Sequence, residues 1–282
     1  MSKVLVCVDG SVYVDSVVDH AAWVAKATTS TVELLQVLGR REATASDRSG
    51  RIVAGARRKL LQELADLDAE RAKLMQKEAR FVLDEAKRRL EQSGICEVTT
   101  VLRHGDLVPT LHELEESATF VVIGKRGEAA DFAKLHLGSN LERIVRSSSK
   151  PIFIASRAFR QISRAIVAFD GSASSLKAID QISRSPLYKD VELVVLTAGE
   201  KSTSAMQALD RAKAQLDAAG LSVTVKLIAG RPDIVIAQAV VDERADLLVM
   251  GAYGHSRLRT LMIGSTTSEV IRACQIPIAI YR

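Results

Sequence analysis

The sequence predicts an α/β protein: two tandem doubly wound domains, each a five-stranded parallel sheet with helices on both faces. Three observations carry that prediction. The chain repeats its own motifs, short Val/Ile/Leu runs alternate with helix-length segments, and 282 residues at 47% hydrophobic content suffice for two cores.

The repeat is read from five blocks in the same order. KVLVCVDGSVYVDSVVDHAAWVAKA (3–27) and RAIVAFDGSASSLKAIDQISRS (164–185) each run from an apolar strand through Asp-Gly-Ser into a helical pattern. TFVVIGKRG (119–127) is echoed by DLLVMGAYG (246–254), and LHLGSNLERIVR by LMIGSTTSEVIR. Each copy closes on a Pro-led apolar strand, KPIFIAS (150–156) and IPIAIYR (276–282). These blocks bound a first domain at 1–156 and a second at 162–282, joined by the short basic stretch RAFRQ (157–161).

In the second copy the strands read AIVAF, VELVVLT, VTVKLI, DLLVM and PIAIY. Between them fall helical segments at 173–184, 202–219, 232–242 and 265–273. Near-continuous apolar strands alternating with helices of about ten or more residues mean βαβ units and a sheet buried on both faces. The first copy carries an excess. Asp9 and Gly124 stand 115 residues apart, whereas Asp170 and Gly251 stand 81 apart. The extra residues open as a polar loop, RREATASDRSGRIVAG, and continue as a long charged helical pattern, so that loop and helix together span about 40–93. There Leu60, Leu64, Leu67, Leu74, Val82, Ala86 and Leu90 recur at helical spacing. The pattern predicts a helix on the order of 50 Å long, either frayed at its start with a solvated face or protruding to dock on a partner or a second copy.

Composition narrows the function. The net charge is +5 without a basic tail or a basic patch interleaved with aromatics, which argues against nucleic acid as a partner. No apolar run reaches 18 residues, so no membrane span is expected. Three scattered cysteines, Cys7, Cys96 and Cys274, fit a reducing, cytoplasmic setting, with Cys7 a small buried hydrophobe.

The chemistry concentrates where strands end. In a doubly wound sheet of order 3-2-1-4-5, the crevice lies between the carboxyl ends of strands one and four. Asp170 ends the first and Gly251 the second. Gly251, Gly254 and Gly264 lack Cβ atoms, which lets a ligand approach the backbone. The helix opening at Ser265 offers unpaired amides suited to phosphate. Ser265, Thr266 and Thr267 add hydroxyls, His255 and Arg257 cations, and Asp170 a carboxylate for a base, a ribose or a bridging Mg²⁺. The plainer alternative is that Ser265 only caps its helix and the glycines only turn the chain. There is neither a Gly-Lys-Ser/Thr phosphate loop nor a Gly-x-Gly-x-x-Gly. His104 and Asp106 follow strand three but are too few for a metal site.

Gly251-x2-Gly254-x9-Gly264-Ser265 resembles the ATP-binding signature of the universal stress protein family. Asp170 after strand one, the Gly230-Arg231-Pro232 turn and the closing IPIAIY strand are similar to that family too, and the likeness spans the chain twice. The resemblance implies the 3-2-1-4-5 sheet, pairing of domains through their last strands, a cytoplasmic location, and adenine nucleotide binding (ATP, or AMP or ADP) in many members. By position it places Ala168, Phe169, Asp170 and Thr197 at the base and ribose. It places Met250, Gly251, Gly254, His255, Gly264, Ser265 and Thr266 at ribose and phosphates. The first domain departs from the pattern. Val8, Asp9, Gly124, Gly127, Gly138 and Ser139 match, but its glycines are spaced x2 and x10, Glu128 replaces His255 and Asn140 replaces a threonine. A carboxylate beside Gly127 would repel a triphosphate, and Lys125 and Arg126 are expected to be solvated. No dedicated general base is evident. The expectation is a nucleotide-binding sensor or regulator acting on unidentified protein partners, with homodimerisation left open. The alternatives are slow Mg²⁺-dependent ATP hydrolysis or nucleotidyl transfer, and a nucleotide-free scaffold using the long helix.

Overall fold

The computed structural model describes residues 2–39, 54–125, 139–252 and 265–282. The first domain runs β1 (Lys3–Cys7), α1 (Val14–Thr28), β2 (Thr31–Leu38), α2 (Ala54–Gln92), β3 (Val98–His104), α3 (Leu107–Glu115), β4 (Phe120–Gly124), α4 (Ser139–Ser147) and β5 (Ile152–Ala155). The second runs β6 (Arg164–Ala168), α5 (Ala173–Arg184), β7 (Glu192–Ala198), α6 (Thr203–Ala218), β8 (Val223–Ile228), α7 (Pro232–Asp242), β9 (Leu247–Gly251), α8 (Ser265–Ala273) and β10 (Ile278–Tyr281).

All ten strands form one sheet, ordered β3-β2-β1-β4-β5-β10-β9-β6-β7-β8. Each domain is therefore a parallel 3-2-1-4-5 sheet, as the sequence predicts. The two join edge to edge where β5 and β10 pair antiparallel, Ile154 opposite Ile278 and Phe153 opposite Ala279. That pairing removes two bare strand edges, each a row of unpaired amides and carbonyls. The helices lie in two layers. Buried residues of α1, α2, α5 and α6 cover one face, and those of α3, α4, α7 and α8 the other, so each apolar layer is continuous across both domains. The inner strands are buried on both faces, which is why they read as unbroken apolar runs, while the outermost strands β3 and β8 are largely exposed.

Helix α2 divides in two. It is one continuous helix of 39 residues, about 58 Å at 1.5 Å per residue. Ala79, Leu83, Ala86 and Leu90, spaced four, three and four, are buried against the sheet. Leu60, Leu64, Leu67 and Leu74 are exposed. The apolar stripe read from the sequence thus turns toward solvent over its first half. Helix α2 packs on β2 and β3, at the outer edge of the sheet, through its second half alone.

The seam between domains is reinforced by polar contacts. Lys125 Nζ donates to the carbonyls of Arg272 (3.2 Å) and Cys274 at the end of α8. In the reverse direction, Arg282 Nη1 donates to Ser148 O (3.0 Å) just beyond α4. Each domain thereby places a cation at the carboxyl end of the other's last helix, where unpaired carbonyls gather negative charge. Lys125 is half-buried in this role rather than solvated, contrary to the sequence expectation, because the partner domain's helix end lies beside it. On the first domain's side, Glu115 is buried and accepts from Ser148 Oγ (2.5 Å), Ser149 N (3.1 Å) and His112 Nδ1 (3.0 Å). Burial pushes its carboxyl up, but these hydrogen bonds outweigh it and hold the group below the usual range.

Candidate functional site

The second domain's crevice is built at the ends of β6, β7 and β9. Phe169 N donates to Leu196 O (2.9 Å), extending the β6–β7 ladder one residue past the strand. Thr197 Oγ1 donates to Phe169 O (2.8 Å), fixing the carbonyl at the strand's end. Asp170 then turns the chain. Its Oδ1 accepts from Ser172 N (2.9 Å), Gly171 takes the left-handed φ of +73° that the turn demands, and Ser172 caps α5. Asp170 is exposed on the crevice side of this turn, whereas the Phe169 ring is buried in the core. With its ring in the core, Phe169 meets β7 through its backbone amide and carbonyl.

Gly251 closes β9 opposite. A Cβ there would stand 2.8 Å from Ser174 Oγ and 2.9 Å from the Ser174 carbonyl carbon. The start of α5 fills the space that the glycine leaves. The missing Cβ lets the start of α5 pack against the end of β9. Met250 is buried and Ala168 partly so. Ala252 N donates to Tyr281 O (2.7 Å), and Thr267 Oγ1 donates to Ala252 O (3.4 Å). Thr267 is buried in that bond, so of the three hydroxyls expected to face a ligand it belongs to the frame. The effect is to anchor the amino end of α8 to the end of β9. Residues Gly254, His255, Arg257 and Gly264 lie outside the described residues, as do the side chains of Ser265 and Thr266.

The first domain repeats the frame with different fittings. Val8 N donates to Leu35 O (2.9 Å) and Asp9 Oδ1 accepts from Ser11 N (3.1 Å), matching Phe169 and Asp170. By strand register Gln36 takes the place of Thr197 and Cys7 that of Ala168. Gln36 is buried, and its Oε1 has no hydrogen-bond partner among the described residues. Burial, then the nearby carboxylates of Asp9 and Glu115, push the Cys7 thiol up to about 12, so it stays an inert core group. Gly124 ends β4 and Ser139 opens α4; Gly127, Glu128 and Gly138 lie outside the described residues. The helix mouths also differ. The first turn of α4 carries Glu142, while that of α8 carries no acidic residue. His104 and Asp106, weighed as weak metal ligands, are otherwise engaged. His104 Nε2 meets Gln76 Nε2 at 3.0 Å, and Asp106 caps α3 while pairing with Arg143 at 2.7 Å.

Sequence reasoning missed Tyr188 and Tyr281, whose buried hydroxyls hydrogen-bond at 2.6 Å, and His20, buried against Phe153 and Phe159 of the joint. His20 and Tyr281 stand within apolar segments, the one signal that marked them, whereas Tyr188 stands in the polar stretch SPLYKD (185–190) and carried none.

Comparison with known proteins agrees with this architecture. The model of the universal stress protein family matches residues 1–156 and again 161–282. A universal stress protein of Synechocystis sp. is 37% identical over 287 residues, covering 100% of each chain. One from Mycobacterium bovis is 28% identical over 199 residues, covering 62% of this chain and 65% of its own. The crystal structure of a universal stress protein from Archaeoglobus fulgidus superposes with a TM-score of 0.72 at 22% identity, covering 99% of this chain and 97% of that one. At that identity the likeness speaks for the fold. With two family matches that together span nearly the whole sequence, the chain belongs to the universal stress protein family as a tandem member.

Proposed function

We propose that the second domain binds an adenine nucleotide and that the chain acts as a sensor or regulator rather than as an enzyme. The observation that carries this reading is the contrast at the helix mouths. The first turn of α8 is free of carboxylates and is tethered through Thr267 to the end of β9, beside the Asp170 turn. Helix amides with no anionic side chain among them suit phosphate. The residues present fit such a ligand. Asp170 would accept from ribose or base, Ala168 and Thr197 would flank them, and Ser265, Thr266 and the glycines at 251, 254 and 264 would surround the phosphates, with His255 and Mg²⁺ as added positive charge. The first domain fits less well, since the first turn of α4 carries Glu142, paired with Arg146, and Gln36 fills the Thr197 position.

A fluorescent ATP analogue tests the reading. Saturable binding without product, lost in Gly264→Val, supports it. Mg²⁺-dependent product lost in Asp170→Ala would replace it with an enzyme, and no binding at all would overturn both. A second reading, a scaffold acting through α2, draws on the exposed Leu60, Leu61, Leu64, Leu67 and Leu74. Deleting 57–75 and measuring solution mass tests that one, and an unchanged mass counts against it.

A further inference from the structure

A second, separate cavity opens on the seam between the domains. It measures about 370 Å³ and is bounded by Tyr13, Lys125 and Ser156–Arg157 of the first domain and by Arg272 and Cys274 of the second. That volume is in the range of small-molecule sites. Its lining is basic. Lys125, Arg157 and Arg272 face it, and no carboxylate is present in its described lining. Lys125 is committed to the end of α8, where it offsets the negative carbonyls. Arg157 and Arg272 are exposed, and neither has an ion-pair partner among the described residues. The Arg157 guanidinium lies 5.9 Å over the Tyr13 ring, a stacked arrangement that pre-orients its donor fork. Among the described residues, none of the nucleotide crevice borders this cavity.

We propose that the seam cavity binds a small phosphorylated metabolite, with its phosphate held by Arg157 and Arg272 and its organic part against Tyr13. Two guanidinium groups lining one pocket repel each other, and an oxyanion between them relieves that repulsion. Their planar forks match phosphate in a bidentate manner that a lysine does not. Because Arg157 follows β5 and Arg272 lies in α8, the ligand touches both domains. It therefore favours the docked seam over any looser arrangement of the two halves.

The test uses inorganic pyrophosphate as probe, by calorimetry on the full chain carrying Gly264→Val, so that the nucleotide crevice is blocked. Saturable binding is expected there, and at least a tenfold loss when Arg157→Ala and Arg272→Ala are added. Both arginines are exposed, so the added substitutions should leave the unfolding midpoint of the unliganded chain unchanged. On the unsubstituted chain saturated with ATP, pyrophosphate should also shift the side-chain Nε resonances of Arg157 and Arg272. Absence of saturable binding in the Gly264→Val chain, binding that survives loss of both arginines, or unmoved arginine resonances would overturn the proposal.

Discussion

The two domains share a frame and differ in what hangs on it. In both, the residue after strand one donates to strand two, and an aspartate then turns the chain through an amide two residues on. In the second domain Thr197 completes this corner with a short hydroxyl bond, and the facing helix opens without a carboxylate. In the first, a buried Gln36 occupies the same register, the facing helix carries Glu142, and the connection from β2 to β3 has grown into α2. Duplication preserved the backbone hydrogen bonds that define the fold and let the side chains around the crevice diverge. Ligand chemistry is thus a property of a few positions, not of the fold.

The largest contrast to break lies within α2. Leu90 is fully buried and Leu67 is 61% exposed. Leu90→Ala should cost about 2–5 kcal/mol in denaturant unfolding, while Leu67→Ala should stay within about 0.5 kcal/mol. Equal losses would mean that the outer half of the helix packs on something in solution. Next is Gly251→Ala. A new Cβ against the Ser174 backbone forces α5 away from β9 and should destabilise by about 1–3 kcal/mol. A neutral result would show that α5 yields freely and that the glycine serves another purpose.

The seam offers a pH-dependent test. Burial pushes the His20 imidazole below its ordinary range, the Ser16 carbonyl opposing. The native state therefore stays neutral where the unfolded state takes a proton. Stability should fall as the pH drops below about 6.5, and it should keep falling until the lowered folded value is passed. His20→Phe should flatten that part of the profile, and an unchanged slope would assign the acid sensitivity elsewhere. A smaller effect is expected at Thr197→Val. Loss of the bond to Phe169 O should cost about 1 kcal/mol. Gln36→Val in the first domain should be neutral or stabilising, since it removes a buried oxygen without a partner among the described residues.

The repeat made most of the fold legible. Five blocks in order gave both sheets, and Asp-Gly-Ser marked each turn because in both copies the aspartate side chain accepts from the serine amide two residues on. Less was legible where a residue serves a neighbour distant in sequence. Lys125 reads as solvated because its partners, the carbonyls of Arg272 and Cys274, belong to the other domain. The packing role of Gly251 is not legible because Ser174, which fills its space, is 77 positions earlier. The stripe on α2 reads as one continuous apolar pattern, although only its second half is buried, because helical periodicity does not report where the sheet beneath it ends.

The central claim is that the amino end of α8, and not that of α4, holds the phosphates of a nucleotide. Amide hydrogen exchange with and without ATP tests it most directly. Slowed exchange at residues 265–268 with no change at 139–142 is the predicted result. Protection at 139–142 alone, or at neither helix, would contradict it.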